Sequence, residues 1–161
     1  MSLLVRHVMT EAPRTLGPDM DADDAAGLMA QYDIGVVPIV SRGALVGLVT
    51  DRDLVLRVLA QRKDPGTVRL GDIATGSAVT VSPDMRLAEA RSIMAEHRIR
   101  RLPVMKGDEL VGILSLGDIA VADGSDRAVG EVLEAVSSSE STRAINDGPE
   151  RGTPDRVRSE G

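Results

Sequence analysis

The 161-residue chain has no cysteine, tryptophan or phenylalanine, and its one aromatic side chain is Tyr32. Without thiols, disulfides, thiolate nucleophiles and cysteine-based metal sites are excluded. Without aromatics, a core must be built from Val, Leu, Ile, Met and Ala. The stacking platforms that single-strand nucleic-acid binders need are also missing. Positive charge is in short supply as well: 19 Lys and Arg stand against 25 Asp and Glu, for a net charge of −6. That is the opposite of the basic footprint a phosphate backbone requires. No apolar run approaches the roughly 20 residues of a membrane span. The opening MSLLVRHVMTEAP lacks the long apolar stretch and small-residue cleavage site of a signal peptide. These absences predict a soluble, cytoplasmic protein with neither membrane nor nucleic acid as partner. Apolar residues still make up 42% of the chain, enough for a real core. The length suits one ordinary domain or two small ones.

What is present is a repeat. VGLVTDRD (46–53) and VGILSLGD (111–118) share one form, and Asp118 stands 65 positions after Asp53. The same offset carries TLGPDM (15–20) onto TVSPDM (80–85), Met29 onto Met94, IGVVPIV (34–40) onto IRRLPVM (99–105), and Gly47 onto Gly112, without a gap. Each copy reads as β-α-β-β-α. A short strand near Arg14–Leu16 or Ala78–Val81 leads through Pro-Asp into a helix with Ala25, Leu28 and Met29, or Ala90, Ile93 and Met94, at helical spacing. Asp19, Asp21, Asp23 and Asp24 crowd the first turn, where the helix dipole favours acids. Two strands follow as a hairpin, 36–40 with 44–50, turned by Ser41-Arg42-Gly43. In the second copy Lys106-Gly107-Asp108-Glu109 makes that turn. A second helix begins near Asp51 and carries an apolar stripe of Leu54, Val55, Val58 and Leu59. The expected fold class is α/β, one domain of two halves about a pseudo-twofold axis. The halves are expected at 1–65 and 66–124, with a short helix at 125–136 and a disordered tail at 137–161, the last too polar to offset its ordering entropy.

Thr50 and Asp53, like Ser115 and Asp118, stand where a core strand gives way to a helix. Helix capping accounts for one acceptor at such a place. It does not require a hydroxyl and an Asp three apart in both halves while the residues between them differ. At a strand-to-helix turn both groups face the crevice above the sheet. A carboxylate there accepts hydrogen bonds from a ribose diol, as in dinucleotide folds, and nearby amides with a hydroxyl can hold a phosphate.

On these residues the chain resembles a tandem pair of CBS motifs, the cystathionine β-synthase-type repeat whose pairs form a Bateman module. The resemblance covers about residues 3–122. It rests on VMTEAPRTLGPDM, IGVVPIV and GALVGLVTDRDL in the first copy, and on AVTVSPDMRL, IRRLPVM and DELVGILSLGDI in the second. It implies that Asp53 and Asp118 accept the ribose of an adenosyl ligand and that Thr50 and Ser115 are their companions. Adenine would lie in slots between the repeats, one lined by Ile34 and Gly35, the other by Ile99. Arg100 and Arg101, which replace Gly35 and Val36 in the second copy, offer forks that match phosphate oxygens. Ion pairing with the many acids is the alternative use for them. The two slots are then unequal, one suited to a phosphate tail and the other to a smaller or neutral adenosyl group.

The only histidines, His7 and His97, have no carboxylate cluster with metal spacing beside them and are expected at the surface. The methionines read as core filler, although Met9 falls where an opening strand would border a slot. No nucleophile motif or phosphate-binding glycine loop occurs. The expectation is therefore a regulatory module and not an enzyme. It needs no cofactor and takes an adenine nucleotide or S-adenosylmethionine as regulatory ligand. It pairs as a homodimer, as the resemblance implies, and signals to an effector protein. The rival expectation is a dimeric protein-interaction module without ligand.

Overall fold

A computed structural model describes residues 2–76 and 79–124, together with positions 130 and 134. Apart from those two positions, the helix expected at 125–136 and the tail expected at 137–161 lie outside the described residues. The elements in chain order are β1 (Thr10–Glu11), α1 (Ala22–Tyr32), β2 (Val36–Ser41), β3 (Ala44–Thr50), α2 (Asp51–Leu54), α3 (Leu70–Ile73), α4 (Leu87–His97), β4 (Arg101–Lys106), β5 (Glu109–Ser115) and α5 (Leu116–Asp123).

Local chemistry sets each boundary. The Asp21 carboxylate accepts the Asp24 amide at 3.0 Å and Asp24 returns the favour at 3.2 Å, so α1 opens on a reciprocal cap. Helices α1 and α4 end on left-handed residues 65 apart, Asp33 and Arg98, with φ of 52° and 54°. The hairpins β2–β3 and β4–β5 have one register: Val36 faces Thr50 as Arg101 faces Ser115. Each shifts at the same place, after Ile39 and after Val104.

Two expectations change. The opening strands shrink to single parallel bridges, Leu16 to Ile39 and Val81 to Val104. A turn follows each bridge at once, closed by Met20 N–H to Gly17 O and by Met85 N–H to Ser82 O, so no second residue can join the ladder. Ala78 lies outside the described residues. The long second helix of the first half is α-helical for only four residues, then widens into a π-helical turn over Val55–Leu59. That turn splits the predicted apolar stripe: Val58 is buried, but Val55 and Leu59 stay 51% and 64% exposed.

The halves exchange their opening arms. Val5 N–H donates to Met85 O while Leu70 N–H donates to Met20 O, and Arg6 N–H donates to Pro83 O while Gly71 N–H donates to Pro18 O. These partners are related by the 65-residue offset. Thr10 of β1 pairs with Ile113 of β5, and Thr75 pairs with Leu48 of β3. Val5 therefore lies in the core of the second half, with Met94, Leu102, Val104 and Leu114. Leu70 and Ile73 lie in the core of the first, with Met29, Val37, Ile39 and Val49. The crossing needs Gly47 and Gly112. A Cβ at Gly47 would stand 2.4 Å from Thr75 O, and one at Gly112 would stand 2.6 Å from Met9 Sδ.

Candidate functional site

Thr50 ends β3 and caps α2. Its Oγ1 accepts the Asp53 amide at 3.2 Å, while Asp53 Oδ2 accepts Thr50 N–H at 2.8 Å and the Thr50 hydroxyl at 3.0 Å. Ser115 and Asp118 repeat the box: Ser115 Oγ accepts the Asp118 amide at 3.1 Å and Asp118 Oδ2 accepts Ser115 N–H at 2.8 Å. The motif is thus a capping box in both halves. The Asp53 and Asp118 amides are taken up within it, which removes them from the set expected to hold a phosphate. One carboxylate oxygen per motif remains. Asp53 Oδ1 has the Arg57 Nε 3.7 Å away; among the described residues no group engages Asp118 Oδ1, and Ala122 stands where Arg57 would.

Each motif borders a cleft whose opposite wall belongs to the other repeat. The first cleft, about 730 Å³, joins Thr50 and Asp53 to Ile99, Arg100 and Arg101. The second, about 470 Å³, joins Ser115 and Asp118 to Ile34, Gly35 and Arg101. All nine candidate residues read from the sequence therefore border one of two related clefts, and Arg101 borders both. A larger open hollow of about 810 Å³ lies between the hairpin turns, at the end of the strands away from both motifs.

Further polar residues border the clefts, among them Thr10, Tyr32, Thr75 and His97. Thr75 enters the first cleft and Thr10 the second, carried there by the exchanged arms. Their pairing was open to the 65-residue offset; their position was not. Tyr32 lines the second cleft with the Arg14 guanidinium carbon 3.4 Å above its ring centroid, a close cation–π pair. At the position of Tyr32, the first cleft has His97, exposed as expected but on the cleft wall. His7 instead accepts the Leu4 amide at 3.1 Å through Nδ1. Met9 packs against the second half's core. The clefts differ in charge. Arg52, Arg98, Arg100 and Arg101 face Asp51 and Asp53 in the first, whereas Arg14 and Arg101 face Asp118 in the second. Among the described residues no three His, Asp or Glu side chains gather as metal ligands, and no helix is long and apolar enough to cross a membrane.

The family model for the CBS domain matches residues 5–60 and 70–125. The chain is 39% identical over 133 residues to the CBS domain-containing protein YhcV of Bacillus subtilis, an alignment spanning 83% of this chain and 94% of that one. Hypoxic response protein 1 of Mycobacterium tuberculosis is 36% identical over 116 residues, 71% of this chain and 81% of its own. A crystal structure of Hypoxic Response Protein I with two coordinated zinc ions superposes at a TM-score of 0.66, with 35% identity over 74% of this chain and 98% of that one. The CBS domain pair of protein MJ0100, solved in complex with 5′-methylthioadenosine and S-adenosyl-L-methionine, superposes at 0.69, with 27% identity over 77% and 98%. With both copies matched and the fold shared, the chain belongs to the CBS-domain family and is built as a CBS pair.

Proposed function

We propose that this CBS pair is a regulatory module that binds an adenosyl ligand in its interdomain clefts. The observation that carries the reading is the doubled arrangement of hydroxyl, carboxylate and apolar wall, with each wall supplied by the opposite repeat. Asp53 and Asp118 would take the ribose hydroxyls through the carboxylate oxygen left outside the capping box. Ile99 and Ile34 would lie against the base, and Arg100 would meet phosphate in the first cleft. A related CBS pair solved with two adenosyl compounds supports that ligand class. Because each ligand would touch both repeats, its differential affinity for two packings of the halves would set the output. That output would reach a separate effector protein. A second copy would pack on the helix faces, where Val55, Leu59 and Val121 are exposed. The same apolar faces favour the rival reading, a dimeric interaction module without ligand. Neither reading invokes catalysis, a required cofactor or nucleic acid, and both suit a cytoplasmic protein.

The test is thermal unfolding in the presence of AMP, ADP, ATP, S-adenosylmethionine, 5′-methylthioadenosine and NAD. A ligand at 100 times its Kd adds about 2.7 kcal/mol of stability. A shift that disappears in the Asp53→Ala, Asp118→Ala double variant supports the sensor. No shift with any compound transfers the assignment to the interaction module.

A further inference from the structure

Arg101 opens β4 and is half-buried. It is the residue common to the walls of both clefts. A Cβ built at Gly35, on the wall of the second cleft, would meet Arg101 Nη2 at 3.3 Å and the first cleft's Asp51 Oδ2 also at 3.3 Å. The guanidinium therefore lies at the partition between the clefts. Among the described residues no hydrogen bond or ion pair holds it. The repeat supplies no second such group, because the position equivalent to Arg101 is Val36.

From this geometry we propose that Arg101 couples the two clefts so that anionic ligands oppose one another. The proposal rests on adenosyl binding in both clefts and adds to it the sign of their interaction. A guanidinium carries one positive charge in a planar fork. A phosphate in either cleft draws that fork toward itself and neutralises it. A second phosphate then meets a spent cation and the charge of the first, across a partition no thicker than Gly35 and the half-buried Arg101. Two phosphate-bearing ligands bind with negative cooperativity. Two uncharged adenosyl ligands, which make no demand on the guanidinium, bind independently.

Calorimetry on variants that isolate each cleft tests this. Asp118→Ala leaves the first cleft and Asp53→Ala the second, so their separate affinities give the isotherm of independent sites. For ADP, the second binding step of the unsubstituted protein should be at least tenfold weaker than that isotherm requires. The discrepancy should vanish in Arg101→Ala and in Arg101→Met, which keeps the aliphatic stem should the alanine variant fold poorly. 5′-Methylthioadenosine should show no discrepancy in any form. Independent ADP binding, a discrepancy that survives both Arg101 substitutions, or one equally large for 5′-methylthioadenosine overturns the coupling. If 5′-methylthioadenosine binds and ADP does not, the coupling fails while adenosyl binding stands. If neither binds the unsubstituted protein, the coupling fails, and the proposed function fails with it when AMP, ATP, S-adenosylmethionine and NAD also leave thermal unfolding unchanged.

Discussion

At Asp53 and Asp118 the proposed function assigns the two carboxylate oxygens to two tasks. Oδ2 accepts the backbone amide of Thr50 or Ser115 at 2.8 Å and holds the strand-to-helix turn, while Oδ1 stands outside the box, beside Arg57 in Asp53 and unengaged among the described residues in Asp118. Read as an exposed side chain, Asp118 would be removable at little cost in stability. The amide it satisfies is part-buried, so Asp118→Ala should cost about 1–2 kcal/mol, the usual loss for a cap. Asp118→Asn keeps an acceptor for that amide and puts an NH₂ where Oδ1 was. It should recover most of the stability without recovering ligand binding in the second cleft. Urea unfolding and calorimetry on the pair of variants separate the two tasks. A stable Asp118→Asn that binds like the unsubstituted protein would remove Oδ1 from the site. The hydroxyl–carboxylate pair was legible in the sequence because it recurs while its interior varies. The places of Tyr32, Thr10 and Thr75 on the cleft walls were not legible, because side chains distant along the chain meet there and spacing does not record which wall a residue joins.

At the scale of elements, the two hairpins differ in what passes over their central glycines. Over Gly47 the obstacle is a backbone carbonyl, Thr75 O at 2.4 Å from the built Cβ; over Gly112 the nearest atom is the flexible Met9 thioether, with Thr10 O at 3.0 Å. Gly47→Ala should therefore cost about 2–3 kcal/mol and Gly112→Ala about 1 kcal/mol, within the range for overpacking. Their midpoints in urea give the comparison, and equal losses would mean that the crossing backbone yields as readily as a side chain. The hairpins and the helices α1 and α4 were readable from short apolar runs, helical spacing and, for α1, the acids crowded at its start. The π-helical turn at Val55–Leu59 was not: an apolar stripe gives the period of a helix but does not fix the one-residue widening. The opening strands were overread, because a short β-prone stretch ahead of Pro18 or Pro83 looks the same whether one residue or three join the ladder.

For the whole molecule, the arm exchange decides where damage is felt. Val5 is fully buried, but among residues of the second half. Val5→Ala should cost about 2 kcal/mol through a lost methyl pair and the cavity left behind. Its mark should be faster hydrogen exchange in β4 and β5, with β2 and β3 changed less, although residue 5 belongs to the first repeat in sequence. Leu70→Ala, at about 2–5 kcal/mol, should show the mirror image. Exchange confined to the half that contains the mutated residue in sequence would contradict the crossing. The pseudo-twofold pairing of repeats was legible from the 65-residue offset. The exchange was not, since an arm seated on its own half and an arm seated on the other have the same amphipathic pattern.

The crossing also makes the molecule separable in an unusual way. Opened between Arg62 and Lys63, in the stretch joining the halves, the chain becomes two fragments, each holding the arm that completes the other. The first lacks Leu70 and Ile73 for its interior; the second lacks Val5. Alone, each should find a substitute only in another copy of itself, because the two arms are repeats of one another. Mixed, they should reassemble into one particle with both clefts rebuilt. The CBS pair is in this sense a dimer of arm-linked fragments that a single peptide connection keeps from choosing other company.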